Sequence, residues 1–325
     1  MIPEPALVLA WLVLAHLVAD FVIQTESMVV DKFGRGSVGW WGLFRHWIGV
    51  AACLVPVALA FGTNGLAALI VISLGHAAID RAKVLLTRRA EERALAAARR
   101  MHELPAPEAS LGTAWTPIPA GLFALDQLAH LVIIGWAWAV WLAGMPPTSD
   151  FAAAVDGVLG SWDRTAVDDV TLALVVGAAL LIVNVRAGAL FVATLVHPRE
   201  AVTGQDVAAP TAPNAPPPSY TFRVGPLVAR AEPDAPAVPA DPPRLASVAR
   251  VGATIGVLER LLIVGFVLAG AQAAVGFVIA AKTIARFRQL DDRAFAEYYL
   301  LGTLASVSVA LASAYVAAAA LGIQL

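Results

Sequence analysis

The chain has 325 residues, of which 59% are hydrophobic and 14% charged, and its mean hydropathy is +0.75. Soluble domains carry about a quarter charged residues, so this composition excludes an ordinary soluble protein and predicts a polytopic membrane protein. The only cysteine, Cys53, lies in an apolar run, which excludes a disulfide framework and a cysteine-rich metal site. The formal net charge of −2 identifies no partner, because its distribution among the loops matters more than its sum.

Apolar runs of about 17–25 residues, the length that crosses a bilayer, recur along the chain. We predict an all-α, polytopic transmembrane helical bundle of seven to eight spans, at 5–25, 40–61, 65–86, 118–144, 170–193, 251–271, 273–290 and 298–322. The seventh run is short and begins almost directly after the sixth. It therefore fits one arm of a re-entrant hairpin as well as a full span.

Lysines and arginines in short loops predict the orientation, because cytoplasmic loops are enriched in them. Seven of these residues lie in 81–102 and two in the loop 26–39, whereas the loop 145–169 carries five aspartates against Arg164. The first two segments are thus predicted to be cytoplasmic and the third to lie outside, which places the N-terminus outside.

Residues 198–250 contain twelve of the 21 prolines. A segment of this composition buries too little apolar surface to order itself, so we expect a disordered cytoplasmic linker that acts as a tether. It divides the chain into an N-terminal unit of five helices, 1–197, and a C-terminal unit of two or three helices, 251–325.

A histidine and an aspartate four residues apart recur inside the predicted spans. The pairs are His16–Asp20, His76–Asp80 and, in reverse order, Asp126–His130, and His46 lies alone in the second span. On a helix this spacing places both side chains on one face, one turn apart. Ionisable groups within a membrane usually face the interior of a bundle, so the seven residues are predicted to share one polar site. With the predicted orientation, each aspartate lies nearer the cytoplasm than its histidine.

Imidazole nitrogens and carboxylate oxygens are ligands for Zn²⁺, Mn²⁺ and Fe²⁺. The seven side chains could hold one or two divalent metal ions, and Asp20, Asp80 or Asp126 could serve as the catalytic general base towards an activated water. Near the cytoplasmic leaflet, such a hydrolase could accept a lipid-like substrate. The same groups also fit a proton or cation pathway in a secondary transporter. A third reading is a non-catalytic scaffold in which they form interhelical hydrogen bonds.

Other polar residues lie within the apolar runs. Gln24 and Gln127 could orient a carboxylate or simply pack helices, and Arg186 could meet an acidic group of a substrate. Glu259 and Lys282 lie at similar depths and are expected to pair, whereas Arg260 is expected to extend to the membrane interface. The sequence contains no phosphate-binding glycine loop, dinucleotide fingerprint or nucleophile elbow, and we expect no nucleic-acid partner.

The stretches HLVADFVIQTE, HAAIDRAK and LDQLAH, together with His46, resemble an uncharacterised bacterial family of inner-membrane proteins, domain of unknown function 3307. The resemblance covers roughly residues 8–140. Similar proteins also carry a C-terminal part resembling GVLERLLIVGFVLAG, GFVIAAKTIARF and EYYLLGTLAS, over about 252–310. The resemblance implies a multi-pass protein of the bacterial inner membrane, and it implies no established reaction.

Overall fold

The computed structural model describes residues 5–103, 118–196, 220–224, 227–231 and 248–325. Its apolar part is helical throughout, as predicted. The helices are α1 (Pro5–Val18), α2 (Glu26–Lys32), α3 (Ser37–Glu103), α4 (Ile118–Ala137), α5 (Ser149–Leu159), α6 (Arg164–Ile182), α7 (Gly188–Val196), α8 (Val248–Leu268), α9 (Ala274–Ala285) and α10 (Arg293–Ala320). Single π-helical turns follow α1, α4 and α6, at Ala19–Ile23, Trp138–Leu142 and Val183–Ala187, and a 3-10 turn, Phe287–Gln289, precedes α10.

Two short strands lie within the segment predicted to be a linker. β1 (Tyr220–Val224) and β2 (Leu227–Ala231) pair antiparallel, with Tyr220 opposite Ala231. Apart from this hairpin and the first turn of α8, the segment 198–250 lies outside the described residues. The predicted disorder of the linker concerns those residues.

Five helical stretches of the described chain are long and apolar enough to cross a membrane. They are Pro5–Ile23, Ser37–Ala90, Ile118–Leu142, Arg164–Val196 and Phe295–Ala320. The second stretch, Ser37–Ala90, contains two predicted spans. They meet at Gly62, where the backbone leaves the helical region (φ 58°, ψ −126°) for a conformation that favours glycine. His46 and His76, 16 residues before and 14 after Gly62, contact each other. The two halves of α3 therefore run antiparallel.

The predicted count of about eight spans is not confirmed. The run at 273–290 forms α9, with 12 residues, and then a 3-10 turn. At about 1.5 Å per residue, α9 is about 18 Å long and falls short of the roughly 30 Å hydrocarbon core. α8 covers the sixth predicted span and is not among the five stretches.

Three apolar clusters hold the helices together. The largest joins α1, both halves of α3 and α4 through Val8, Leu12, Ala19, Val50, Leu54, Ala68, Ile72, Ile134, Ala137 and Leu142. A second joins α8, α9 and α10 through Ile263, Val264, Val267, Val275, Ala310 and Ala314. The third joins α1, α6 and α10 through Leu7, Leu172, Val176 and Ala317. The C-terminal helices thus pack directly on the N-terminal unit.

Candidate functional site

The structure brings together all seven histidines and aspartates that the sequence singles out. They converge from α1 and its π-helical turn, from both halves of α3 and from α4. Each histidine of this cluster is at most 4% exposed, and the most exposed carboxylate side chain, that of Asp20, is 9% exposed. We call this set the His/Asp cluster: His16, Asp20, His46, His76, Asp80, Asp126 and His130.

Three ligand-type atoms form a triangle at the centre of the His/Asp cluster. The Nε2 atoms of His46 and His76 are 2.9 Å apart, and each lies 3.2 Å from Oδ1 of Asp20. A neutral imidazole has at most one proton at Nε2, so the three contacts cannot all be linear hydrogen bonds. A metal ion bonded at about 2.0–2.2 Å to all three atoms would hold them roughly 3.0–3.5 Å apart. The triangle could therefore hold a metal ion, with its 2.9 Å side slightly shorter than that range.

Asp80 lies next to this triangle. Its Oδ2 atom is 3.6 Å from Nε2 of His46 and 3.8 Å from Nε2 of His76. Asp80 follows His76 by one helical turn, just as Asp20 follows His16. Its carboxylate thus lies beside the triangle as a candidate fourth ligand.

His16, Asp126 and His130 form the second part of the cluster. The rings of His16 and His130 stack at 4.8 Å, and the ring of His130 lies 4.0 Å from that of His76. Nδ1 of His130 lies 2.8 Å from the backbone oxygen of Asp126, where it donates a proton and leaves Nε2 as a free acceptor. Among the described residues, His130 Nε2, His16 Nδ1 and Asp126 Oδ1 have no hydrogen-bond partner.

Such unpartnered buried atoms are costly unless a ligand or water satisfies them. Ligand atoms of His16, His76 and His130 lie within 4.8 Å of one another, as do those of Asp80, Asp126 and His130. A second cation, or a polar substrate group, would find its partners there.

Gln127 connects the two parts of the cluster. Its amide nitrogen donates to Oδ2 of Asp126 at 3.1 Å and to Oδ2 of Asp20 at 3.5 Å, while its oxygen accepts from Nε2 of His16 at 3.3 Å. Gln24, with its amide oriented to satisfy both neighbours, donates to the backbone oxygen of Asp20 at 3.2 Å. Gln127 therefore contacts two carboxylates, which was one of the two roles open for it, whereas Gln24 bonds to a backbone oxygen and to Nζ of Lys32.

Two lysines complete the site, and sequence reasoning missed both. Nζ of Lys32 lies 2.5 Å from Oδ2 of Asp80, and Nζ of Lys83 lies 2.7 Å from Oδ2 of Asp126. Lys83 follows His76 by seven residues and Asp80 by three, so helical spacing places it on the face of the site. Lys32 gives no such signal, because it lies in the predicted loop 26–39 and its burial depends on the tertiary fold.

The short helix α2 carries Lys32 across one end of the cluster. The Thr25 hydroxyl caps α2 by accepting from the backbone N–H of Met28 at 3.3 Å. α2 packs so closely on α3 that a Cβ atom at Gly42 would lie 2.5 Å from the backbone nitrogen of Lys32. The Arg88 guanidinium donates to the backbone oxygens of Phe33 and Gly34, which anchors the following turn.

The other predicted polar residues lie apart from the cluster. In the C-terminal unit, Nζ of Lys282 is 2.6 Å from Oε2 of Glu259. Arg186 is exposed on the π-helical turn Val183–Ala187, so its side chain is not part of the buried cluster.

Arg260 does not extend to the interface as expected. It is 2% exposed, and its Nε donates to the backbone oxygen of Asn184 at 2.7 Å while Nη1 donates to the Ser306 hydroxyl at 3.1 Å. The π-helical turn that contains Asn184 presents this carbonyl to the guanidinium, so burial with two acceptors replaces exposure at the membrane surface.

Comparison with known proteins yields one family. Residues 8–154 match the model of a family described as protein of unknown function (DUF3307). We call the matched residues the DUF3307 region. The match confirms the resemblance carried by the motifs, and the DUF3307 region extends from α1 into α5 and contains the whole His/Asp cluster. No curated protein and no solved structure matches the chain.

Proposed function

We propose that the protein is a metal-dependent hydrolase embedded in the bacterial inner membrane, with its site at the cytoplasmic end of the bundle. The observation that carries the proposal is the triangle of Asp20 Oδ1, His46 Nε2 and His76 Nε2, buried and 2.9–3.2 Å on a side. Three such atoms without enough protons to link them are typical of metal ligands.

The residues divide into two roles. Asp20, His46 and His76, with Asp80 beside them, would hold one divalent ion, for which Zn²⁺, Mn²⁺ and Fe²⁺ suit the ligand set. When bound, this ion supplies a Lewis acid and an activated water. Asp126 is the general base of choice, because its Oδ1 is unpartnered while Lys83 and Gln127 fix its other oxygen.

The surroundings of the cluster favour an enzyme over a transport pathway. Towards Gly62, the side chains of Leu12, Leu54, Ile72 and Ile134 are 2% exposed or less and close the bundle with hydrocarbon. A through-path for ions needs polar groups on both sides of a site. Among the described residues, the polar side chains Lys32 and Gln24 adjoin the cluster towards α2, so reactants would enter and leave at that end.

The α2 end suits an amphipathic substrate. Around α2 and the start of α3, the large side chains of Val29, Val30, Trp40 and Trp41 are exposed, next to Lys32 and the Asp31–Arg45 ion pair. Apolar and aromatic side chains beside cations are typical of segments that lie in the head-group layer. A lipid-like ester or phosphoester held at this level would reach the cluster once Lys32 moves aside.

A proton or cation pathway is the second candidate, and the two lysine–aspartate pairs favour it. Lys32 and Lys83 neutralise Asp80 and Asp126, which a transported cation would do in their place. Exchange of a lysine for a cation on a buried carboxylate is chemistry suited to coupled transport.

The first test is the metal content of detergent-purified protein, measured by inductively coupled plasma mass spectrometry. We expect about one or two metal ions per chain. Loss of an outer hydrogen-bond partner already weakens metal affinity about 10–100-fold, so His46→Ala and His76→Ala should retain little metal. His102→Ala is the matched control, because residue 102 lies 22 residues along α3 from Asp80, about 33 Å at 1.5 Å per residue.

A second test separates the hydrolase from metal binding alone. In vesicles of bacterial phospholipid, released fatty acid or head group is followed by mass spectrometry for the wild type and for Asp126→Asn. We expect metal to be retained and turnover to be lost in the variant. Wild-type protein that holds metal and releases nothing would contradict the hydrolase. Metal-dependent proton or cation flux in the same vesicles would then support transport.

A further inference from the structure

A cavity lies on the other side of the apolar core from α2. Its volume is about 420 Å³, within the roughly 300–1,000 Å³ of small-molecule sites. Its walls come from α1, from α3 just before Gly62, from α5 and from the start of α6, and its described lining contains none of the seven cluster residues. Apolar side chains dominate it, among them Trp11, Leu14, Val57, Phe61 and Phe151.

This cavity is positioned to take up hydrocarbon. α1 and its π-helical turn, Pro5–Ile23, are together long and apolar enough to span the membrane. Trp11 lies at the cavity wall, and its side chain is 45% exposed. Water is a poor occupant of an apolar cavity, because the lining cannot form the hydrogen bonds that water has in bulk. In a bilayer the neighbouring molecules are lipids, so an acyl chain is the natural occupant of such a space.

The rim of the cavity carries charges of both signs. Arg164 and Asp168 lie one helical turn apart on α6, and both contribute to the lining. The Arg164 guanidinium also pairs with Asp156 of α5, and its side chain remains 28% exposed. A guanidinium matches the geometry of a phosphate group, whereas a carboxylate attracts an ammonium group and repels a second anion.

We propose that this cavity binds a zwitterionic phospholipid whose head group carries a phosphate and an amine. One acyl chain occupies the apolar space, the phosphate contacts Arg164, and the amine contacts Asp168 and Asp156. The surplus carboxylate at the rim disfavours a purely anionic lipid. The rim lies in the segment that the loop charges place outside, so the lipid comes from the outer leaflet of the membrane. This site does not depend on the proposed hydrolase.

Cys53 provides a reporter, because it lines the cavity and is the only cysteine in the chain. The full-length protein in detergent is labelled with N-ethylmaleimide, with phosphatidylethanolamine, with phosphatidylglycerol or without added lipid. At about ten times the dissociation constant of the lipid, roughly one site in eleven is empty, so phosphatidylethanolamine should slow labelling about tenfold. Phosphatidylglycerol should protect much less.

The variant Arg164→Ala should lose this protection. Arg293→Ala is the matched control, because both arginines begin a helix behind an aspartate cap, and Arg293 pairs with Glu297 away from the cavity. In parallel, native mass spectrometry counts the retained phospholipid. We expect one phosphate–amine lipid per chain in the wild type and in Arg293→Ala, and none in Arg164→Ala.

Three outcomes would overturn the proposal: a wild-type protein that retains no phospholipid, equal protection by both lipids, or an Arg164→Ala variant that retains lipid like the wild type. Metal content, measured on the same samples, reports on the His/Asp cluster alone. A failure of the lipid site is thereby distinguished from a failure of the proposed function.

Discussion

At the scale of single residues, the His/Asp cluster is a problem of charge. Its three carboxylates, those of Asp20, Asp80 and Asp126, carry three negative charges in a buried volume. The ammonium groups of Lys32 and Lys83 add two positive charges beside them. With neutral histidines the net charge of these groups is −1. A divalent ion at the triangle would change it to +1, so metal binding and the lysine pairs are expected to influence each other.

The Lys32–Asp80 pair gives a stability prediction. Removal of one partner of a buried pair leaves the other charge unpaired and costs about 3–5 kcal/mol, whereas replacement of both by apolar residues is often nearly neutral. We expect Lys32→Met to destabilise the metal-free protein strongly, and the double variant Lys32→Met/Asp80→Leu to be much less destabilised than the sum of the single changes. Denaturant unfolding in detergent with a metal chelator measures the difference.

The exposed pair Arg293–Glu297 is the control for this cycle, since its side chains are 93% and 68% exposed. The variant Arg293→Ala should leave the unfolding midpoint unchanged, because such pairs are screened by solvent. Additive effects of Lys32→Met and Asp80→Leu would show that the two residues do not form an ion pair in the protein.

Six of the seven cluster residues were predictable from the sequence, because a four-residue spacing on a membrane helix fixes a shared face whatever the tertiary fold. His46 has no partner at this spacing and was included only as an ionisable residue within a predicted span. Lys32 was not predictable. Its sequence context, TESMVVDK, resembles an exposed cytoplasmic turn, and its burial follows only from the packing of α2 on α3. Arg260 was mispredicted for the same reason, since its acceptors are a carbonyl of a π-helical turn and a hydroxyl of a distant helix.

At the scale of elements, α2 covers one end of the His/Asp cluster. Gly42 permits this packing, because a Cβ atom there would also lie 2.6–2.7 Å from atoms of Asp31. We expect Gly42→Ala to push α2 away from α3. An overpacked contact costs about 1–3 kcal/mol, so amide hydrogen exchange in residues 26–34 should become roughly 5- to 150-fold faster.

Gly121→Ala is the matched control for this prediction. Gly121 lies within α4, and a Cβ atom there would meet no atom within 4 Å. The exchange of α2 should not change in this variant, although α4 itself gains the helix propensity of alanine. Unchanged exchange of α2 in Gly42→Ala would mean that α2 is not held against α3 as described.

The C-terminal helices show which features of an element hydropathy predicts and which it does not. The apolar run at 273–290 has nearly the length of a span, but its helix ends at Ala285 and continues as a 3-10 turn. Hydropathy reports the apolar length of a segment, whereas the break depends on local backbone geometry. The same limit applies to α3, which contains two predicted spans and reverses at a single glycine.

At the scale of the whole molecule, the two units are joined by more than the linker. α10 packs on α1 and α6 through Leu7, Leu172, Val176 and Ala317. Arg260 of α8 bonds to Asn184 of the N-terminal unit and to Ser306 of α10. Buried polar contacts of this kind contribute about 1 kcal/mol each between membrane helices, and they also fix which faces meet.

We therefore expect the two units to stay together when the linker is cut. A protease site inserted between residues 204 and 205 lets the purified protein be cleaved in detergent, and size-exclusion chromatography shows whether the pieces co-elute. Co-elution is expected for the wild type.

Arg260→Met should weaken this co-elution, because the variant leaves the Asn184 carbonyl and the Ser306 hydroxyl without the guanidinium. Arg286→Met is the control, since Arg286 donates only to Gln289 of the same unit among its described hydrogen bonds. Separation of the wild-type pieces would mean that the linker, and not the packed interface, holds the C-terminal helices beside the DUF3307 region.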